Sequence, residues 1–124
     1  MSNALNWFEI PVTDLARAKE FYGRVLQSEL REENMAGMSM AILPYQDGGV
    51  GGALIQGEPH APSAQGTVVY LNAGNDLAGA LHRVEAAGGK VVMGATHLSD
   101  QIGSIAMFLD SEGNRVALHS PRAA

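Results

Sequence analysis

The sequence predicts an α+β fold: two βαβββ modules whose curved mixed sheets enclose a cleft, with the helices outside. Three observations predict it. Helix-cap signals in VTDLARAKEFYGRVL and GNDLAGALHRVEAAGG place two Asp-Leu pairs 62 residues apart, half the length of the 124-residue chain. A short strand-like segment precedes each helix, NWFEIPV and TVVYLNA. Each helix is then followed by strand-like segments ending in a hairpin with an acidic-Gly turn. The turns are Asp47-Gly48 and Glu112-Gly113, 65 residues apart. Repetition of element order and turn chemistry together marks an internal duplication.

In the first helix Leu15, Ala18, Phe21, Tyr22, Val25 and Leu26 recur at helical spacing behind Thr13 or Asp14 as cap. In the second, Leu77, Ala80, Leu81 and Val84 follow Asn75 or Asp76, and Gly88 is the expected stop. The first hairpin is MAILPYQDGGVGGALIQ and the second IAMFLDSEGNRVALHS. Residues 1–124 are read as a single domain: module one about 4–56, a Pro- and Gly-rich linker at 57–66, and module two about 67–120. Residues 57–66 and 94–103 read as loops that could cover a site.

Composition narrows the function classes. Hydrophobic residues make up 46% and charged residues 17%, as in a globular domain. Cysteine is absent, which removes disulfides, thiolate nucleophiles and Cys-ligated zinc, and suits a cytoplasmic protein. The net charge is −5 with Lys and Arg scattered, so no basic stripe is available to track phosphates and nucleic acid is not an expected partner. No apolar run approaches the roughly 18–20 residues of a membrane span. The N-terminus shows no basic segment leading into an apolar one, so neither a signal peptide nor a membrane partner is expected. DGGVGG lacks the strand–loop–helix context and the Lys-Ser/Thr pair of a phosphate cradle.

Strand alternation separates a helix-facing side from a cleft side. Phe8, Ile10 and Val12 oppose Trp7, Glu9 and Pro11; Val69, Leu71 and Ala73 oppose Val68, Tyr70 and Asn72. Val116 and Leu118 oppose Arg115, Ala117 and His119, and Ala53 and Ile55 oppose Gly52, Leu54 and Gln56. Purely apolar faces are expected on the helices. The mixed faces then supply a cleft lining of Trp7, Glu9, Gln56, Tyr70, Asn72, Arg115 and His119.

Each of these residues has a chemical and a structural reading. Trp7 can stack on a planar ligand, or be a core or interface tryptophan. Glu9 among apolar neighbours can act as a general base, or pair with Arg115. His119 can be a base, an oxyanion donor or an off-pattern metal ligand, or a strand-end residue. Glu9 and His119 are thus the catalytic candidates. Trp7, Gln56, Tyr70, Asn72 and Arg115 are the ligand-binding ones, Tyr70 through its phenol and Arg115 through an anion. His82 reads as solvent-facing, and His60 and His97 as loop residues. Met35, Met38 and Met40 suit either core filling or an adaptable cleft.

With DLARAKEFYGRVL, AAGGKVV and FLDSEGNRVALHS in this order, nearly the whole chain resembles the vicinal oxygen chelate superfamily: glyoxalase I, bleomycin-resistance proteins and extradiol dioxygenases. It is most similar to the glyoxalase-like branch of unassigned function. The resemblance implies a homodimer, and in the metal enzymes a divalent ion held by His, Glu or Gln on inner strand positions of both modules. Those positions match Trp7, Gly52, Val68 and Ala117 here, none of which can ligate a metal. The implied metal site is therefore not expected, and Trp7 takes a ligand's place as an aromatic wall. The expected function is binding of a small, partly apolar or aromatic molecule. One alternative is a metal-dependent or Glu/His-based lyase or isomerase acting on a small carbonyl compound. Another is an interaction module with a closed cleft and no small-molecule ligand.

Overall fold

A computed structural model describes residues 3–35 and 37–121, the side chain of Met35 excepted. Its elements are β1 (Trp7–Pro11), α1 (Leu15–Leu26), β2 (Arg31–Met35), β3 (Met38–Ile42) and β4 (Gly51–Gln56), then β5 (Tyr70–Asn72), α2 (Leu77–Ala86), β6 (Lys90–Ser99), β7 (Gly103–Leu109) and β8 (Arg115–Ser120). They form two four-stranded sheets, ordered β1-β4-β3-β2 and β5-β8-β7-β6. In each sheet the opening strand runs parallel to the closing one, β1 with β4 and β5 with β8, while the other neighbours are antiparallel. This is the α+β, two-module βαβββ architecture.

Both helices start where an aspartate side chain replaces a missing intrahelical acceptor. Asp14 accepts from the Arg17 amide at 3.1 Å and Asp76 from the Gly79 amide at 2.9 Å. Gly88 adopts φ +98° just beyond α2, a left-handed stop that costs glycine little. The apolar stripe of α1 (Leu15, Ala18, Phe21, Tyr22, Val25) and that of α2 (Leu77, Ala80, Val84) bury into one core. Ile10, Val12, Leu54, Leu71, Val116 and Leu118 enter the same core from the sheets. Phe21 sits edge-on to Tyr22 at 5.0 Å between ring centres and 6.0 Å from Phe108, so aromatic rings of both modules meet at its middle.

The FLDSEGNR segment is a clasp between the modules. The Glu112 carboxylate accepts from the Thr13 and Asp14 amides, the Thr13 hydroxyl and the Arg17 guanidinium, at 2.6–3.0 Å. Asn114 donates to the Pro11 carbonyl at 2.7 Å and accepts from the Ser63 amide at 2.9 Å, tying in strand β1 and the linker. Tyr22, fully buried on α1, donates to Asp110 at 2.7 Å. Asp110 in turn accepts from the Glu112 and Asn114 amides and so fixes the turn.

The structure corrects several expectations. Residues 94–99, read as a loop, continue β6, and His97 is a strand residue whose Nε2 lies 3.3 Å from Asp100. β6 is an edge strand with irregular register, which hides the alternation that sequence reading needs. The two hairpin turns are not equivalent residue for residue. In Gln46–Gly49 the positive φ falls on the third residue, Gly48; in Asp110–Gly113 it falls on the fourth, Gly113. In β4 the face assignment is reversed. Ala53 is opposite Glu9 in the register, so Ala53 and Ile55 lie on the cleft side and Leu54 points to the helices. Gln56 makes the Gly52-Leu54-Gln56 face read as the mixed one, but that polar group is used at the start of α1, so polarity pointed to the wrong face.

Candidate functional site

Strands β1 and β5 are edge strands of their sheets, and a groove of about 700 Å³ opens between them. Its walls are mainly apolar, from Leu5, Phe8, Leu26, Leu43, Val69 and Leu71, into which Glu9, Thr67, Tyr70 and Asn72 bring polar groups. A second cavity of about 620 Å³ shares Pro44, Val50 and Asn72 with the groove and is bordered by Tyr45 and Gln46. Sites of this size and composition suit drug-sized molecules.

Repeat symmetry explains why these residues meet. The Val12 amide donates to the Ile55 carbonyl as the Ala73 amide donates to the His119 carbonyl. Val12 therefore corresponds to Ala73, Glu9 to Tyr70, and Pro11 to Asn72. The equivalent strand edges present Glu9 on one side of the groove and Tyr70 and Asn72 on the other. Glu9 has no hydrogen-bond or ion-pair partner among the described residues, and it does not pair with Arg115.

The other expected residues are distributed differently. The Trp7 side chain is 39% exposed and stands edge-to-face on Tyr45, with ring centres 6.5 Å apart. Trp7 is thus one step behind the lining, and Tyr45 is the aromatic wall. Tyr45 was not singled out from the sequence, because its position depends on a hairpin folding back over its own strand. A Cβ on Gly51 would fall 2.6 Å from the Tyr45 ring, and one on Gly52 would fall 2.5 Å from the Phe8 ring. The Gly51-Gly52 pair therefore lets one aromatic ring lie flat on each face of β4. The presence of that pair in an otherwise apolar strand was the available signal.

Gln56 is a correction. It shares the helix-facing parity of Leu54, and its Oε1 accepts from the Leu15 amide at 2.7 Å at the open start of α1. Its amide serves the helix end rather than the cleft. Arg115 and His119 share a sheet face with Tyr70 and Asn72 but do not line the groove. Arg115 is exposed at the start of β8. The His119 Nε2 lies 2.5 Å from the Ile102 carbonyl, so that nitrogen carries the hydrogen and ties the β6–β7 turn to β8. Glu9 and His119 are thus not brought together in the groove.

The symmetry also refines the superfamily's ligand positions. Ala117 corresponds to Ala53, not to Gly52, because Ile55 and His119 are equivalent. The four inner positions are then Trp7, Ala53, Val68 and Ala117. None has a side chain that can coordinate a metal, and no three His, Cys, Asp or Glu residues gather among the described residues. This donor set does not fit the divalent ion of the metal enzymes.

The family description Glyoxalase/Bleomycin resistance protein/Dioxygenase superfamily matches residues 4–118. The chain belongs to this superfamily. Among solved structures, it is similar to a glyoxalase/bleomycin resistance protein from Albidiferax ferrireducens T118. The identity is 16%, with 95% of this chain and 98% of that one covered, at a TM-score of 0.68. The hypothetical protein SA1046 from S. aureus is 23% identical over 97% of this chain and 98% of its own, at a TM-score of 0.63. A V278E mutant of glyoxalase I from Zea mays is 23% identical over 94% of this chain, at a TM-score of 0.68. This chain covers 45% of that maize protein. These likenesses establish the glyoxalase-like fold. Among curated proteins no similar sequence is found.

Proposed function

We propose that this glyoxalase-like protein binds a small, partly apolar or aromatic molecule in the groove between β1 and β5, without the metal of the superfamily's metal enzymes, and works as a homodimer. One observation carries the reading: a drug-sized apolar groove with convergent Glu9, Tyr70 and Asn72, beside ligand positions that hold Trp7, Ala53, Val68 and Ala117. The open groove also argues against an interaction module with a cleft closed by side chains.

The test is thermal stability of chelator-treated protein, alone and with Ni²⁺, Zn²⁺, Mn²⁺ or Fe²⁺, then with aromatic and antibiotic-like small molecules. Binding to the native state raises the melting temperature by mass action. The expected outcome is a shift with small molecules and none with metals. A stoichiometric metal with a shift abolished by Glu9→Ala would overturn the metal-free reading.

The unpaired Glu9 favours a second reading, a lyase or isomerase that removes a proton next to a small substrate's carbonyl. His119, held at Ile102, is not placed to share that work. Turnover lost in Glu9→Gln with folding intact would support it.

A further inference from the structure

We infer that the groove's preferred ligand is a planar aromatic or apolar molecule bearing one positive charge, held by the Glu9 carboxylate; this rests on the small-molecule reading above. Among the described residues, Glu9 is the only acidic or basic side chain that borders the groove or the adjoining cavity. Its carboxylate has no cation or hydrogen-bond donor among the described residues. The groove therefore has a place for a positive charge and none for a negative one.

The surroundings strengthen this preference. Apolar walls flank Glu9, which is itself exposed on β1, so its charge is open to a ligand and acts through solvent that salt screens. The Tyr70 ring is 47% exposed at the same groove, and the Tyr45 ring borders the adjoining cavity. Aromatic faces attract cations through their quadrupole and stack on planar groups. Asn72 borders both cavities; its Oδ1 accepts from the Gly74 amide at 2.8 Å, which leaves its NH2 group as a neutral donor able to orient a polar substituent. An anionic ligand would lose its hydration and meet the Glu9 carboxylate with no compensating cation. The site thus discriminates on charge by repulsion as well as attraction.

Three probes of one shape and different charge test the inference: N-methylacridinium (cation), 9-hydroxymethylanthracene (neutral) and anthracene-9-carboxylate (anion). Affinities are measured by calorimetric titration on the intact protein and on Glu9→Gln, whose melting temperature without ligand checks its fold. The expected result is N-methylacridinium bound several-fold tighter than the neutral probe, the anion weakest, and the cation's advantage lost in Glu9→Gln. In the unmodified protein that advantage should also shrink as salt rises from about 0.02 to 0.5 M, a test that needs no variant. Equal affinity for cation and neutral probe would overturn the charge preference and leave the small-molecule reading standing. A preference unchanged in Glu9→Gln, or the anion binding best, would also overturn it. Failure of all three probes to bind would overturn the inference and count against the small-molecule reading too.

Discussion

At the residue scale, Gly51 and Gly52 show how two missing side chains shape a site. Each makes room for an aromatic ring, and the two rings differ in freedom. Tyr45 is 52% exposed and can swing away, whereas Phe8 is packed against the core. Gly51→Ala is therefore expected to leave stability nearly unchanged but to displace Tyr45 from Trp7. The emission of Trp7, the single tryptophan, reports that change. Gly52→Ala forces Phe8 off its seat and should cost about 1–3 kcal/mol in denaturant unfolding.

Glu112 gives a pH prediction. Burial pushes its carboxyl up, but hydrogen bonds from Arg17, Thr13 and the Thr13 and Asp14 amides outweigh this and bring it down to about 2, from an ordinary 4.5. A depressed carboxyl stabilises the fold fully above its unfolded value and ceases to do so as pH falls through its folded value. Glu112→Gln should therefore be less stable than the native sequence at neutral pH. The difference should shrink from pH 4.5 downward and vanish below about 2, as read from melting temperatures across that range.

At the element scale, the β7–β8 hairpin is the part whose role the sequence concealed. FLDSEGNR was recognisable as a family signature, yet nothing local tells that it caps α1 of the other module. Its residues lie about a hundred positions from Pro11, Thr13 and Asp14 in the chain. Tyr22→Phe removes the donor to Asp110 while Asn114 still reaches the same carboxylate oxygen at 3.1 Å. The expected loss is about 1–2 kcal/mol. Asn114→Ala breaks the ties to Pro11, Ser63 and Asp110 together and should lose more, about 2–3 kcal/mol. Burial also raises the Tyr22 phenol well above its ordinary 10, helped by the neighbouring Asp110 carboxylate. Its contribution is complete below pH 10 and is lost as pH rises beyond that. Tyr22→Phe should therefore remove part of the alkaline destabilisation seen in the native protein.

At the scale of the whole molecule, the candidate site belongs to neither module alone. Glu9 comes from one edge strand, Tyr70 and Asn72 from its repeat partner, and the groove exists only because both edges remain unpaired. Leu98, at the end of β6, and Ile102, in the β6–β7 turn, are each about half exposed, which suits a face covered by a second copy. Light scattering on the purified protein should return twice the 13.0 kDa chain mass. Double substitution of Leu98 and Ile102 by Ser should move that value toward a single chain with the fold retained.

The sequence by itself determined the repeat, both helices with each cap narrowed to two residues (the structure chose Asp14 and Asp76), and the helix-facing sides of β1, β5 and β8. These follow from periodicity and capping chemistry, which act over a few neighbouring residues. It also placed Glu9, Tyr70 and Asn72 on one side of their strands, because alternation is a local rule. Only the tertiary structure decided that Leu54 rather than Ala53 faces the helices, that Gln56 serves the start of α1, and that Tyr45 covers Gly51. It alone separated His119 from Glu9 and turned the hairpin signature into a clasp. Register, docking and ring stacking join residues distant in the chain, and no local pattern in a single sequence encodes which partner each will meet.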